Sequence, residues 1–74
     1  MITHQKAKIS RAILGLTTRE LADELGVSAM AISRFERGDE KVISLATAKK
    51  AERFFTERGI VFGDNNSITY FIEP

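Results

Sequence analysis

The stretch ELADELGVSAMAISRFERG, Glu20–Gly38, reads as amphipathic helix throughout except at Gly26-Val27-Ser28. Before that break Leu21, Ala22 and Leu25 share one face. After it Ile32 and Phe35 turn inward, while Met30, Ser33, Arg34 and Arg37 turn outward at helical spacing. Gly26 permits the positive φ that any Cβ penalises, so it ends the first helix. Ser28 is a good N-cap and starts the second. A chain that stops a helix at glycine and restarts it at once changes direction sharply, and Val27 can drop into the core at the corner. Two helices then brace each other across a short turn, and the outer face and N-terminus of the second stay free.

Working outward, Thr17-Thr18-Arg19-Glu20 carries the spacing of a capping box, in which Thr17 and Glu20 satisfy each other's backbone N–H groups. This places one helix over residues 18–25 and its continuation over 29–37. Upstream, a helix over about 3–14 is predicted. Ile2, Ile9, Ile13 and Leu16 form one apolar stripe on it and Ala7 and Leu14 another, and both are expected to be covered. Downstream of a polar loop at Gly38–Lys41, Ser44 can cap a helix over 45–58 that buries Leu45, Ala48, Ala51, Phe54 and Phe55. Gly15, Gly26, Gly38 and Gly59 each follow an apolar-periodic run and suit left-handed helix ends.

The tail changes period. Ile60-Val61-Phe62 and Ile68-Thr69-Tyr70-Phe71-Ile72 are rich in β-branched and aromatic residues, with Asp64-Asn65-Asn66-Ser67 as a turn between them. A hairpin over about 60–72 is predicted. With a turn at Asn65–Ser67, Ile60 faces Ile72 and Phe62 faces Tyr70, leaving Val61 and Phe71 on the other side. Gly63 reads as a bulge or bend. A lone hairpin is marginal and has open edges, so it must lie on the helices or pair with another chain. The expectation is one mostly α domain, residues 1–74, of four helices and a C-terminal β-hairpin.

Two crossed helices with an exposed basic face have the right shape for a DNA major groove. The residues also carry a resemblance. Glu20-Leu21-Ala22, Leu25-Gly26-Val27-Ser28 and Ile32-Ser33-Arg34-Phe35-Glu36-Arg37-Gly38 closely resemble the helix-turn-helix of the lambda-repressor/Cro-like family, also called the XRE family. The likeness extends to Ser10–Leu16, which looks like the end of that family's first helix. It extends also to Gly59-Ile60-Val61-Phe62, which resembles the closing strand of small phage and bacterial members.

The resemblance implies a lambda-repressor-like bundle and places base contacts at Ala29, Met30, Ser33 and Arg34. Arg34 can read guanine O6 and N7 with its fork-shaped guanidinium, or else be a solvated arginine. Met30 meets a thymine methyl or a partner protein, or is simply exposed. Phosphate contacts fall to Thr17, Thr18 and Ser28 at helix starts, to Arg37 and Lys41, and more weakly to Lys6 and Lys8. The family often has glutamine at the position of Thr18, and the shorter threonine departs from that. The resemblance also pairs Arg11 with Glu36, as a structural ion pair or as a brace that orients the second helix of the motif and a nearby phosphate, the structural reading being preferred.

Composition sets the bounds. With 74 residues and no cysteine, neither a disulfide scaffold nor a thiolate metal site is available. A chain of this size buries only ~60% of its unfolded surface, so dimerisation would help it, with Ile68, Tyr70 and Ile72 of the last strand as the expected interface. The sole histidine, His4, lies at an end expected to fray, with no metal-ligand or nucleophile–base cluster around it, so neither an enzyme nor a metal or small-molecule cofactor is expected. Asn65-Asn66-Ser67 matches a glycosylation acceptor, but a plain turn explains it better. No apolar run suggests a signal peptide or membrane span, which fits a cytoplasmic, nucleoid-associated protein.

Net charge is only +1 and is unevenly spread. Residues 17–40 carry Arg19, Arg34 and Arg37 against Glu20, Asp23, Glu24, Glu36, Asp39 and Glu40, whereas residues 1–11 and 41–58 are basic. Asp39 and Glu40, near the expected DNA backbone, predict modest non-specific affinity. The expected function is a sequence-specific double-stranded DNA-binding regulator, a repressor acting as a homodimer on a palindromic operator. The alternative is a helix-turn-helix that grips another protein, such as an antitoxin or accessory factor. An RNA-binding role is more distant, because no aromatic stacking platform is apparent.

Overall fold

The computed structural model describes residues 2–65 and 67–71. Four helices come first: α1 His4–Ile13, α2 Thr18–Leu25, α3 Ala29–Glu36 and α4 Leu45–Glu57. Two short strands follow, β1 Ile60–Phe62 and β2 Ile68–Tyr70, paired antiparallel. The fold is the expected mostly helical, lambda-repressor-like bundle with a C-terminal hairpin.

Local chemistry sets each helix start. Thr3, Thr17, Ser28 and Ser44 are the N-caps of α1 to α4, each side chain accepting from the backbone N–H three residues on. Both halves of the Thr17–Glu20 capping box are formed. At the corner Gly26 has φ +73°, and the Val27 N–H closes α2 on the Ala22 carbonyl at 3.0 Å. Val27 is half-buried and packs on the core, so α3 leaves the corner packed across α2.

The core is one cluster. Leu21, Ala22 and Leu25 of α2 meet Ile32 and Phe35 of α3, Ala48, Ala51, Phe54 and Phe55 of α4, Ala7 of α1, Ile2 and Ile60. Phe55 is fully buried and takes edge-on contacts from Phe54 and Phe62, with ring centroids 5.5 and 6.5 Å away.

Three packing expectations are corrected. On α1 the covered face runs through Ala7, Ser10 and Leu14, leaving Ile9 45% exposed and Ile13 also exposed. Small residues let α1 approach α3 and α4 closely, and that choice rotates the isoleucines away. Leu45 keeps the period of the α4 apolar face but is 58% exposed. It is the first helical residue, and helical side chains lean toward the N-terminus, so it projects past the end of the core. His4 does not fray. It begins α1, and its backbone N–H and ring Nδ1 both meet the Glu40 carboxylate, at 2.9 and 2.7 Å.

The hairpin register also differs from expectation. Ile60 pairs with Tyr70 and Phe62 with Ile68, two residues back from the expected partners. The pairing centres the loop on Asn65, which has φ +54°, a conformation asparagine tolerates. Moving the loop centre by one residue moves every pair by two, so the same residues still share a face. Gly63 continues the ladder, its N–H donating to the Ser67 carbonyl at 2.7 Å, and is no bulge. At the other end the Phe71 N–H bonds the Gly59 carbonyl, and a Cβ on Gly59 would lie 2.6 Å from the Phe71 oxygen. Gly59 has φ +95°, so both its conformation and its close neighbour require glycine. Ile72 lies outside the described residues.

Candidate nucleic-acid interface

The outer face of α3 is built by the corner at Gly26. Ile32 and Phe35 are buried, which turns Met30, Arg34 and Arg37 outward; Met30 is 71% exposed. Ala29 and Ser33 lie half-buried beside them. Ser28 Oγ accepts from the Ala31 N–H at 3.1 Å, so the start of α3 is capped by a neutral hydroxyl and its dipole is not cancelled by an acid.

At the start of α2 a carboxylate is already present. Glu20 Oε1 accepts from the Thr17 N–H at 2.9 Å. That backbone bond, and next the Thr17 side chain, hold the Glu20 carboxyl below its ordinary range. An anion approaching Thr17 and Thr18 therefore meets a negative charge that α3 does not present.

Arg11 and Glu36 meet in a two-pronged contact. Nε donates to Oε2 at 2.8 Å and Nη2 to Oε1 at 3.0 Å, while Nη1 donates to the Leu16 carbonyl at 2.7 Å. Glu36 keeps only 6% of its side chain exposed, so its charge is withdrawn from the outer face of α3. Glu36, by hydrogen bond and by charge, raises the pKa of Arg11 further above its already high value.

The acids beside the face are engaged as well. Arg34 Nη2 donates to Asp39 Oδ2 at 2.7 Å, and Glu40 binds His4. The His4 hydrogen bonds hold the Glu40 carboxyl below its ordinary range. Of the acids in residues 17–40, Glu20, Glu36, Asp39 and Glu40 thus each have a partner, while Asp23 and Glu24 are exposed on α2. The sequence does not disclose the pairing of Asp39 with Arg34, because their spacing matches no helical pair and the contact forms only after the chain turns at Gly38.

The remaining candidates are dispersed. Arg37 and Lys41 are exposed near the end of α3 and in the following loop. Lys6 is placed elsewhere: its Nζ donates to the Gly63 carbonyl at 3.2 Å and lies 5.7 Å from the Phe62 ring centroid. Ile68 packs on the chain's own core, and Tyr70 is partly exposed.

A family model described as helix-turn-helix matches residues 8–57, from α1 to the last residue of α4. The chain belongs to the XRE family of helix-turn-helix proteins. A search of the curated proteins found no match. XRE helix-turn-helix domains bind DNA, and this chain is a DNA-binding regulator of that type. In the XRE motif α3 is the second, recognition helix, and α2 braces it. The hairpin lies beyond the matched residues. Among the described residues no helix is long and apolar enough to cross a membrane.

Proposed function

We propose that this XRE protein is a sequence-specific repressor that binds a palindromic operator as a homodimer, with α3 in the major groove. The observation that carries this reading is the outer face of α3, where Arg34 and Arg37 stand exposed and the neighbouring acids Glu36 and Asp39 each have a cation. Ala29, Met30, Ser33 and Arg34 approach base edges. Ala29 and Ser33 act through small size, and Arg34 supplies directional donors. Thr17, Thr18, Ser28, Arg37 and Lys41 hold the flanking phosphates, and Lys6 would have to leave Gly63 to join them.

Occupancy of a promoter blocks polymerase without chemistry, cofactor or small ligand, at the nucleoid in the cytoplasm. The dimer forms along β2, through Tyr70 and the end of Ile68, setting two recognition helices about 34 Å apart, one DNA turn. Selection from random oligonucleotides with the purified protein tests all of this. The expected result is an enriched palindrome bound by two chains; a single enriched half-site bound by a monomer at micromolar concentration removes the dimer.

The exposure of Met30 favours a second reading, in which the same face holds a protein, as in an antitoxin or accessory factor. The two separate by substitution. On the DNA reading, Arg34→Ala abolishes a band shift that Met30→Ala leaves; a stoichiometric protein partner, with no DNA bound, reverses the ranking.

A further inference from the structure

One residue holds Arg34 at two levels. Asp39 Oδ2 accepts from Arg34 Nη2 at 2.7 Å, and the Asp39 backbone N–H donates to the Arg34 carbonyl at 3.1 Å. The backbone bond belongs to the closing turn of α3, in which the Gly38 N–H also bonds the Phe35 carbonyl at 3.0 Å. Asp39 is therefore anchored by the main chain of the same residue whose side chain it grips. The Asp39 carbonyl in turn accepts from the Val42 N–H, so the turn is fixed on its far side too.

Stability is a poor explanation for this pair. The side chains are 52% and 41% exposed, and ion pairs in such positions contribute little. Orientation explains it better. A free arginine explores many rotamers, and a reader of guanine O6 and N7 must present two parallel N–H groups in one plane. With one Nη2 hydrogen held by Asp39, one end of the guanidinium is anchored and its range of orientations narrowed, while an intact fork of donors remains for a base. Holding the side chain before contact removes part of the ordering that binding otherwise requires.

We propose that Asp39 is a positioning residue that holds the Arg34 guanidinium in the orientation that reads one base pair. The inference rests on the placement of α3 in the major groove proposed above.

The test pairs a measurement on free protein with one on DNA. In the free protein, restricted rotation of the Arg34 guanidinium is read from its side-chain nitrogen resonances. It is expected in the native chain and lost in Asp39→Ala, with the melting temperature unchanged. On the selected operator, discrimination against a substitution at the base pair read by Arg34 is expected to fall by about tenfold in Asp39→Ala. Asp39→Asn, which keeps an acceptor, should recover most of it. In an Arg34→Lys background, which keeps the charge and loses the fork, Asp39→Ala should change discrimination no further.

Freely rotating Arg34 in the native protein overturns the proposal, and so does discrimination unchanged by Asp39→Ala while Arg34→Ala destroys it; DNA reading survives both results. If the native chain binds no selected sequence although Arg34 is held, the DNA reading fails and the proposal falls with it.

Discussion

Arg11 of α1 and Glu36 at the end of α3, 25 positions apart, are joined by two hydrogen bonds of 2.8 and 3.0 Å, and the third arm of the same guanidinium reaches the Leu16 carbonyl. One side chain thus fastens the first helix, the turn after it and the recognition helix. Arg11→Ala leaves a carboxylate in a buried position with no cation, and loss of one partner of a buried pair costs about 3 kcal/mol or more. The variant is expected to melt well below the native chain, with DNA binding lost in proportion to the unfolded fraction. A normal melting curve with binding alone abolished would assign Arg11 to the DNA.

Gly26 and Gly59 separate conformational strain from collision. A Cβ on Gly26 meets nothing within 4 Å, so Gly26→Ala is expected to lose about 1–2 kcal/mol from its left-handed backbone alone. Gly26→Asn should lose less. Gly59→Ala adds the clash with the Phe71 carbonyl and should be the more damaging by denaturant titration. Equal losses at the two sites would show that the hairpin end yields without resistance.

Ser10 is fully buried, and its hydroxyl has no partner among the described residues. Ser10→Ala keeps the small volume that lets α1 lie close and removes the unsatisfied group. It is expected to stabilise the protein by ~1 kcal/mol, a gain of several degrees in Tm for a chain this small. A fall in Tm would mean that the hydroxyl is bound in solution.

Glu20 and Glu40 are held below their ordinary value of 4.5 by Thr17 and His4. A carboxyl whose pKa is lower when folded contributes stability above 4.5, and that contribution is lost as pH falls through the lower folded value. Stability measured from pH about 6 to 3 should therefore drop less steeply in Glu20→Gln and Glu40→Gln than in the native chain. Parallel curves would show that neither carboxyl is linked to folding.

What the sequence discloses divides by distance along the chain. The capping box at Thr17 and Glu20, the serine caps and the corner at Gly26 are local, each decided within a few residues, and the four helices follow from them. The pairing of Arg11 with Glu36 came from family likeness, since no periodicity links two helices so far apart. Ile9, Ile13 and Leu45 keep apolar spacing yet stay exposed, because spacing says which residues share a stripe but not which stripe the neighbours cover. The hairpin register turned on whether the loop centres on Asn65 or one residue later, a choice among near-equal local options. The face of α3 could be read from the spacing of Ile32 and Phe35, whereas its charge balance could not. Asp39 and Glu40 looked like a liability beside DNA until Arg34 and His4 were placed against them.

The junction at Gly59 has a mechanical consequence. Because the Phe71 oxygen nests where a side chain would stand, and Ile60 and Phe62 key into the aromatic cluster under α4, the hairpin is a handle welded to the helical body. A load applied to its outer edge is transmitted as torque to the whole molecule, without a slack joint at Gly59 to absorb it.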